Sequence, residues 1–115
     1  MGYAVGMGTG GGDAVNEFGQ TPQSADWFAR LADKKAKGRI RSRIVQAMVG
    51  LFGDCAPVGE GVSEMRIHYG PGYRVYFARE GATVYLLLAG GDKSSQRRDI
   101  AEAKAIWTEA KKGKP

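Results

Sequence analysis

The spacing of apolar residues predicts that two helices follow a short first strand at 14–19. Thr21 suits a helix N-cap and Pro22 suits the first helical position. Asp33 marks a break, after which a second helix is expected from about Lys34 to Met48. The apolar positions of the two helices are Ala25, Phe28, Leu31 and Ala32, then Ala36, Ile40, Ile44, Ala47 and Met48. So short a link between helices predicts an antiparallel hairpin.

The apolar period then changes from helical spacing to alternation. The segment 50–61 contains four glycines and Pro57, so it is predicted to be a loop. Three alternating segments follow, around Met65 to Tyr69, Tyr73 to Phe77 and Thr83 to Ala89, and short turns join them. This pattern predicts a three-stranded antiparallel meander, followed by a last helix from about Ser94 to Lys111.

The turn Gly70-Pro71-Gly72 suggests a register for the first hairpin. If Tyr69 lies opposite Tyr73, one side of the hairpin is apolar and packs against the helices. The other side, expected to be open, then carries Arg66, His68, Arg74 and Tyr76. Lys93 follows the third strand and is expected to reach the same end of the sheet.

Composition excludes several classes of protein. One cysteine and one histidine among 115 residues allow no internal disulfide and no ordinary zinc site, so neither a metal nor a cofactor is expected. No apolar run approaches the ~20 residues that span a bilayer, and the first residues lack a secretory signal, so we expect a cytoplasmic protein without membrane contact. Residues 1–13 are glycine-rich and predicted to be a disordered or non-native extension, and 14–115 are predicted to form one domain.

The positive charge is concentrated in one segment. The net charge is +5, and residues 30–45 carry seven bases and one acid. This grouping favours a polyanion or an acidic protein as partner, although a solvated helix face is an alternative. The candidate RNA-binding residues are Lys35, Arg39, Arg43 and Arg97.

The cluster expected on the open sheet face suits cleavage of RNA by its own 2′-hydroxyl. Arg66 and Arg74 can stabilise the charge of the pentavalent phosphate, and His68 or Tyr73 can transfer protons. Each residue also has a simpler interpretation. The arginines can balance Glu64 and other charges, the histidine can be a surface residue, the tyrosine can pack in the hairpin, and Lys93 can be a turn residue.

Three segments resemble a known family. Residues 58–66 (VGEGVSEMR), 69–77 (YGPGYRVYF) and 86–96 (LLLAGGDKSSQ) are similar to the "addiction module killer" toxins, the HigB-like branch of the RelE/ParE superfamily. The resemblance covers roughly 18–107 and implies an α+β, RelE-like fold. In that fold two N-terminal helices pack on a small twisted antiparallel sheet, with a C-terminal helix.

The resemblance also implies a function. It implies the toxin of a type II toxin–antitoxin system, which cuts mRNA on the ribosome without a metal and is neutralised by an antitoxin, often a helix-turn-helix protein. Arg66, Arg74 and Lys93 fall at basic positions of the family motifs. This chain lacks the tyrosine that RelE carries in its last helix, because the comparable stretch is Asp99-Ile100.

Two other functions are compatible with the same sequence. A ParE-like toxin would bind DNA gyrase and perform no chemistry, and it would not need the three basic residues on one face. A phage or plasmid protein of the same fold would act without catalysis.

Overall fold

The computed structural model describes residues 15–113. The first element in this range is a strand, which precedes the first helix. The strands are β1 (Glu17–Gln20), β2 (Cys55–Gly59), β3 (Val62–Ile67), β4 (Tyr73–Arg79) and β5 (Val84–Asp92). The helices are α1 (Pro22–Arg30), α2 (Lys34–Met48) and α3 (Gln96–Lys112), and a 3-10 turn (Lys93–Ser95) leads into α3. The predicted extension over 1–13 lies outside the described residues.

The two N-terminal helices begin at the residues that the sequence indicates. The Thr21 hydroxyl accepts a hydrogen bond from the Ser24 N–H at 3.1 Å, so it caps α1. The Asp33 carboxylate accepts from the N–H groups of Lys35 at 2.9 Å and Ala36 at 3.1 Å, so the predicted break is the cap of α2. The predicted span of the second helix, 34–48, is confirmed.

The expected fold, two N-terminal helices on a small antiparallel sheet, is wrong. The sheet has five strands in the order β1-β5-β4-β3-β2, and β1 precedes both helices. β1 pairs with β5 in parallel and the other pairs are antiparallel, so the sheet is mixed. The pairing joins segments far apart in the chain, with Glu17 opposite Val84, and local periodicity carries no information on such a partner.

The predicted loop at 50–61 contains a strand. β2 pairs with β3, and a tight turn through Glu60 and Gly61 joins them, both with positive φ (57° and 83°). A register shift between Pro57 and Gly59 interrupts the pairing. β2 is an edge strand, and proline and glycine are tolerated in strands at edges and bulges. Because the same residues are also typical of loops, the sequence did not predict this strand.

The register of the β3–β4 hairpin differs from the prediction by two residues. Ile67, rather than Tyr69, lies opposite Tyr73, and Arg66 lies opposite Arg74. The turn is wider than predicted because 68–72 all lie outside the strands. A shift of two residues leaves the side chains within β3 and β4 on their predicted faces, because strand side chains alternate with period two. His68, predicted on the open face, lies outside the strands.

Helices cover both faces of the sheet. The face that was expected to be open is therefore only partly open, because α3 packs on it. The α1 and α2 side packs on Met65, Ile67, Val75, Phe77 and Leu87. On the other side, Ala103 and Trp107 of α3 pack on Val62, Tyr76, Ala78, Leu86 and Leu88. The second face is apolar over most of its length, and α3 buries it for that reason. Tyr76, predicted to be on the open face, is 0% exposed.

Two glycines in β5 allow a helix to approach the sheet closely on each face. A Cβ on Gly90 would overlap the indole of Trp27 from α1, and a Cβ on Gly91 would overlap the carboxylate of Asp99 from α3. The third alternating segment was predicted over Thr83 to Ala89, whereas β5 continues through both glycines to Asp92. Only glycine allows backbone and side chains to approach this closely.

We predict that Gly90→Ala destabilises the fold by about 1–3 kcal/mol, since the new methyl group must displace the Trp27 ring. The matched control is Gly38→Ala in α2. A Cβ at Gly38 meets nothing within 4 Å, so this change is expected to stabilise the protein by about 0.5–1 kcal/mol through helix propensity. Urea unfolding of both variants tests the prediction, and a Gly90→Ala variant as stable as wild type would contradict the close approach.

Candidate functional site

A buried carboxylate joins the two arginines that the sequence analysis singled out. Glu64 is 3% exposed, and its side chain lies on the same face of β3 as Arg66. Arg74 Nη1 donates to both Glu64 oxygens at 3.1 Å, and Arg66 Nε donates to Oε2 at 2.9 Å. Gln96 at the start of α3 adds a hydrogen bond from Nε2 to Oε1 at 3.3 Å. Two arginines directly opposite each other repel, and Glu64 offsets this repulsion.

A second carboxylate extends this cluster to the histidine. Asp54 Oδ1 accepts from Arg66 Nη1 at 3.0 Å, and Oδ2 lies 2.5 Å from His68 Nε2. The hydrogen bond with His68 and the nearby Arg66 guanidinium hold the pKa of the Asp54 carboxyl below its usual value. The side chains therefore form a connected chain in the order His68, Asp54, Arg66, Glu64, Arg74, with ion pairs between the arginines and the carboxylates and a hydrogen bond between His68 and Asp54.

Arg43 of α2 fixes the backbone that carries this chain. Its guanidinium donates to the carbonyl oxygens of Phe52 at 3.0 Å and Asp54 at 3.3 Å, and also to that of Arg66. The Arg66 N–H donates to the same Asp54 carbonyl at 2.9 Å. Arg43, a predicted RNA-binding residue, is thus engaged with backbone acceptors.

A basic groove of about 630 Å³ lies between α2 and the end of β3. We call it the basic groove, and its lining residues are Lys35, Gly38, Arg39, Ser42, Arg43, Gln46, Ile67 and His68. The Arg39 guanidinium lies 4.7 Å from the centre of the Tyr69 ring, in a cation–π contact. Three of the four predicted RNA-binding residues therefore line one groove, whereas Arg97 is exposed on α3, which covers the opposite face.

The remaining predicted site residues lie in different places. Lys93 is exposed in the 3-10 turn, and its Cβ lies 3.6 Å from where a Cβ on Gly72 would be, beside the β3–β4 turn. Tyr73 lies on the face covered by α1, with its ring centre 6.4 Å from that of Trp27. The structure therefore brings together Arg66, Arg74 and His68, places Lys93 at the same end of the sheet, and leaves Tyr73 on the other face.

Asp54, Glu64 and Gln96 were not among the predicted site residues. Glu64 precedes Arg66 by two positions in an alternating segment, so the strand period does signal that they share a face. Asp54 lies in a segment without periodicity, and Gln96 comes from a separate element, so only the tertiary structure places them.

Tyr76 carries an unusual buried hydroxyl. Among residues 15–113 its Oη is the one buried side-chain polar atom without a hydrogen-bond partner. Burial, with the nearby Glu64 and Asp99 carboxylates, raises the pKa of Tyr76 to about 12. The hydroxyl is therefore un-ionised at neutral pH.

Neither a metal site nor a membrane-spanning helix is present in the part of the chain that the structure describes. Within 15–113, no three side chains of His, Cys, Asp or Glu converge in a way that could hold a metal ion. None of the helices in this range combines the length and apolar character needed to cross a membrane.

The chain is similar to a protein of Haemophilus influenzae that is described as an uncharacterized protein. The two are 42% identical over 83 residues, which cover 72% of this chain and 84% of the Haemophilus protein. No protein-family model matches the chain. No solved structure matches it either.

Alkaline unfolding tests the environment of Tyr76. Its pKa is about 12 in the folded state and near 10.0 when unperturbed. The unfolded chain therefore loses this proton first, and stability falls as the pH rises from 10 to 12. Over that interval we predict that wild type loses roughly 2–3 kcal/mol more than Tyr76→Phe.

Urea unfolding across this pH range measures the difference, and Tyr76→Phe is the matched control because it keeps every other titratable group of the chain. At neutral pH, Tyr76→Phe should be no less stable than wild type, because it removes an unsatisfied buried hydroxyl. Parallel loss of stability in the two proteins would contradict the assigned environment.

Proposed function

We propose that this protein is a toxin that cuts mRNA on the ribosome. The chain belongs to the family of the Haemophilus influenzae protein. The proposal includes membership of the HigB-like branch of the RelE/ParE superfamily and a type II toxin–antitoxin system. One observation carries it. Two arginines and a histidine are joined through two carboxylates at one end of the sheet, and the histidine also lines the basic groove.

The groups of this site match the requirements of RNA cleavage by the 2′-hydroxyl. His68 takes the proton of the 2′-hydroxyl, and the O2′–P bond forms as the P–O5′ bond breaks. The leaving 5′-oxygen takes a proton from water, which gives a 2′,3′-cyclic phosphate and a 5′-hydroxyl. His68 is 74% exposed, so an RNA strand can reach it.

The arginines keep donors for the phosphate despite their ion pairs. Arg66 uses Nε and Nη1, and Arg74 uses Nη1, for bonds to carboxylates. Within 15–113, Nη2 of Arg66 and Nε and Nη2 of Arg74 have no hydrogen-bond partner. Guanidiniums held in place by carboxylates stabilise developing charge without reorganisation. Lys93 adds a further exposed positive charge at this end of the sheet.

A non-catalytic toxin that binds DNA gyrase is the second candidate. The observation in its favour is that Glu64 and Asp54 already balance the charges of Arg66 and Arg74. A purely structural ion-pair network has the same composition. The two candidates differ in the fate of mRNA.

The proposed partners follow from the proposed function. They are mRNA and the ribosome, and an antitoxin, of which a helix-turn-helix protein is the expected type. The proposed compartment is the cytoplasm, where these partners are found.

We predict that Arg66→Lys and Arg74→Lys strongly reduce mRNA cleavage while the protein stays folded. Lysine keeps the positive charge beside Glu64 but loses the planar donor fork, so the cleavage rate should fall on the order of 10²-fold or more. The matched control is Arg79→Lys, at the far end of β4, where the guanidinium bonds the carbonyls of Gly81 and Ala82.

The measurement is a map of mRNA 5′ ends after induction in cells, with thermal unfolding of each purified variant. New ends inside translated frames are expected for wild type and Arg79→Lys alone. Growth arrest with intact mRNA would overturn the nuclease proposal and favour gyrase.

We also predict that the basic groove binds the RNA backbone. Lys35→Ala and Arg39→Ala should each weaken binding of a single-stranded RNA. Each should also reduce the slope of log K against the logarithm of the salt concentration by about one in magnitude. The control is Arg41→Ala, on the same helix, whose guanidinium lies 5.1 Å from the centre of the Phe28 ring. Filter binding at several salt concentrations measures both effects. Equal losses of RNA affinity in all three variants would mean that binding depends only on the net charge of α2, which would contradict binding in the groove.

A further inference from the structure

Asp54 links His68 to Arg66 and so to the pair of arginines in the candidate site. Its carboxylate divides its oxygens between two partners, with His68 Nε2 at 2.5 Å from Oδ2 and Arg66 Nη1 at 3.0 Å from Oδ1. The two side chains are therefore held at a fixed separation by one rigid planar group.

The backbone around Asp54 is held from two directions. The Asp54 carbonyl accepts from the Arg66 N–H at 2.9 Å and from Arg43 Nη2 at 3.3 Å. Gly53 has a φ of 69°, and a Cβ there would lie 3.0 Å from Arg43 Nη2. An exposed carboxylate on a firmly held backbone can act as an orienting group, because little freedom remains for it to lose.

The charge of Asp54 fixes the tautomer of its partner. The pKa of the Asp54 carboxyl lies below its usual value, because of the hydrogen bond with His68 and the proximity of Arg66, so the group is ionised at neutral pH. An ionised carboxylate only accepts hydrogen bonds. The neutral imidazole must therefore carry its proton on Nε2, and the lone pair lies on Nδ1.

We propose that Asp54 is a positioning residue, which holds His68 as the Nε2–H tautomer so that Nδ1 receives the proton of the 2′-hydroxyl. This inference rests on the proposed nuclease function for the proton transfer itself. The tautomer and its dependence on Asp54 can be measured without any activity.

The first experiment is NMR of the imidazole nitrogens in protein labelled with 15N and freed of any tag. His68 is the sole histidine in the sequence, so its signals need no further assignment. In mildly alkaline buffer we expect the Nε2–H tautomer for wild type and for Asp26→Asn, and a mixture of tautomers for Asp54→Asn. Asp26 is the control because it pairs with Arg30 on the exposed side of α1. A mixture in wild type, or no change in Asp54→Asn, would overturn the inference.

The second experiment is a double-mutant cycle on programmed ribosomes. Asp54→Asn should lower the cleavage rate at saturation by about 10- to 100-fold with little change in KM. In a His68→Ala background the same change should add little, since the residue acts through the histidine. An undiminished effect in that background would mean that Asp54 acts through Arg66, which would overturn the positioning role.

The two experiments separate this inference from the proposed function. If wild type cleaves no mRNA on ribosomes, the nuclease proposal fails whatever the NMR result, and the proton-transfer role fails with it. If wild type cleaves and the cycle or the tautomer disagrees, the inference alone fails.

Discussion

The close packing of both helical layers on β5 is the constraint on which the rest of the structure depends. This strand pairs with β1 on one side and β4 on the other. The Trp27 ring lies on Gly90 from one face, and the Asp99 carboxylate lies on Gly91 from the other. Gly91 is also opposite Arg74. Because Gly91 allows the start of α3 to lie close to the sheet, Gln96 reaches Glu64, the carboxylate that Arg74 binds. The same packing therefore closes the core and shapes the candidate site.

Electrostatics at the end of the sheet follow from that arrangement. Arg66 and Arg74 lie opposite each other, and unpaired like charges there would destabilise the hairpin. Glu64 and Asp54 offset this repulsion and hold the guanidiniums in place. Donors fixed in this way are suited to an anion, because an ordered site needs no rearrangement when charge develops. The same compensation is consistent with a purely structural network, and the fate of mRNA separates the two interpretations.

Sequence reasoning succeeded where a local period carried the information. The span of α2 and the break at Asp33 followed from apolar spacing, and the Thr21 cap of α1 followed from capping chemistry. The shared face of Arg66 and Arg74 survived a register error of two residues, because such a shift preserves the alternation. The strand β2 was missed because Pro57 and Gly59 within it are typical of loops. The pairing of β1 with β5, which makes the sheet mixed, is a long-range contact without a local signal.

The sequence by itself determined the residue types that a candidate site offers and the faces on which strand and helix periods place them. A concentration of bases in 30–45, an alternating Arg66 and Arg74, and a single histidine were all visible there. The tertiary structure alone decided which carboxylates pair with those cations, that α3 covers Tyr76, and that Arg43 bonds backbone carbonyls rather than solvent. The physical reason is that periodicity fixes directions within one element, whereas charge pairing and burial depend on contacts between elements that are distant in the chain.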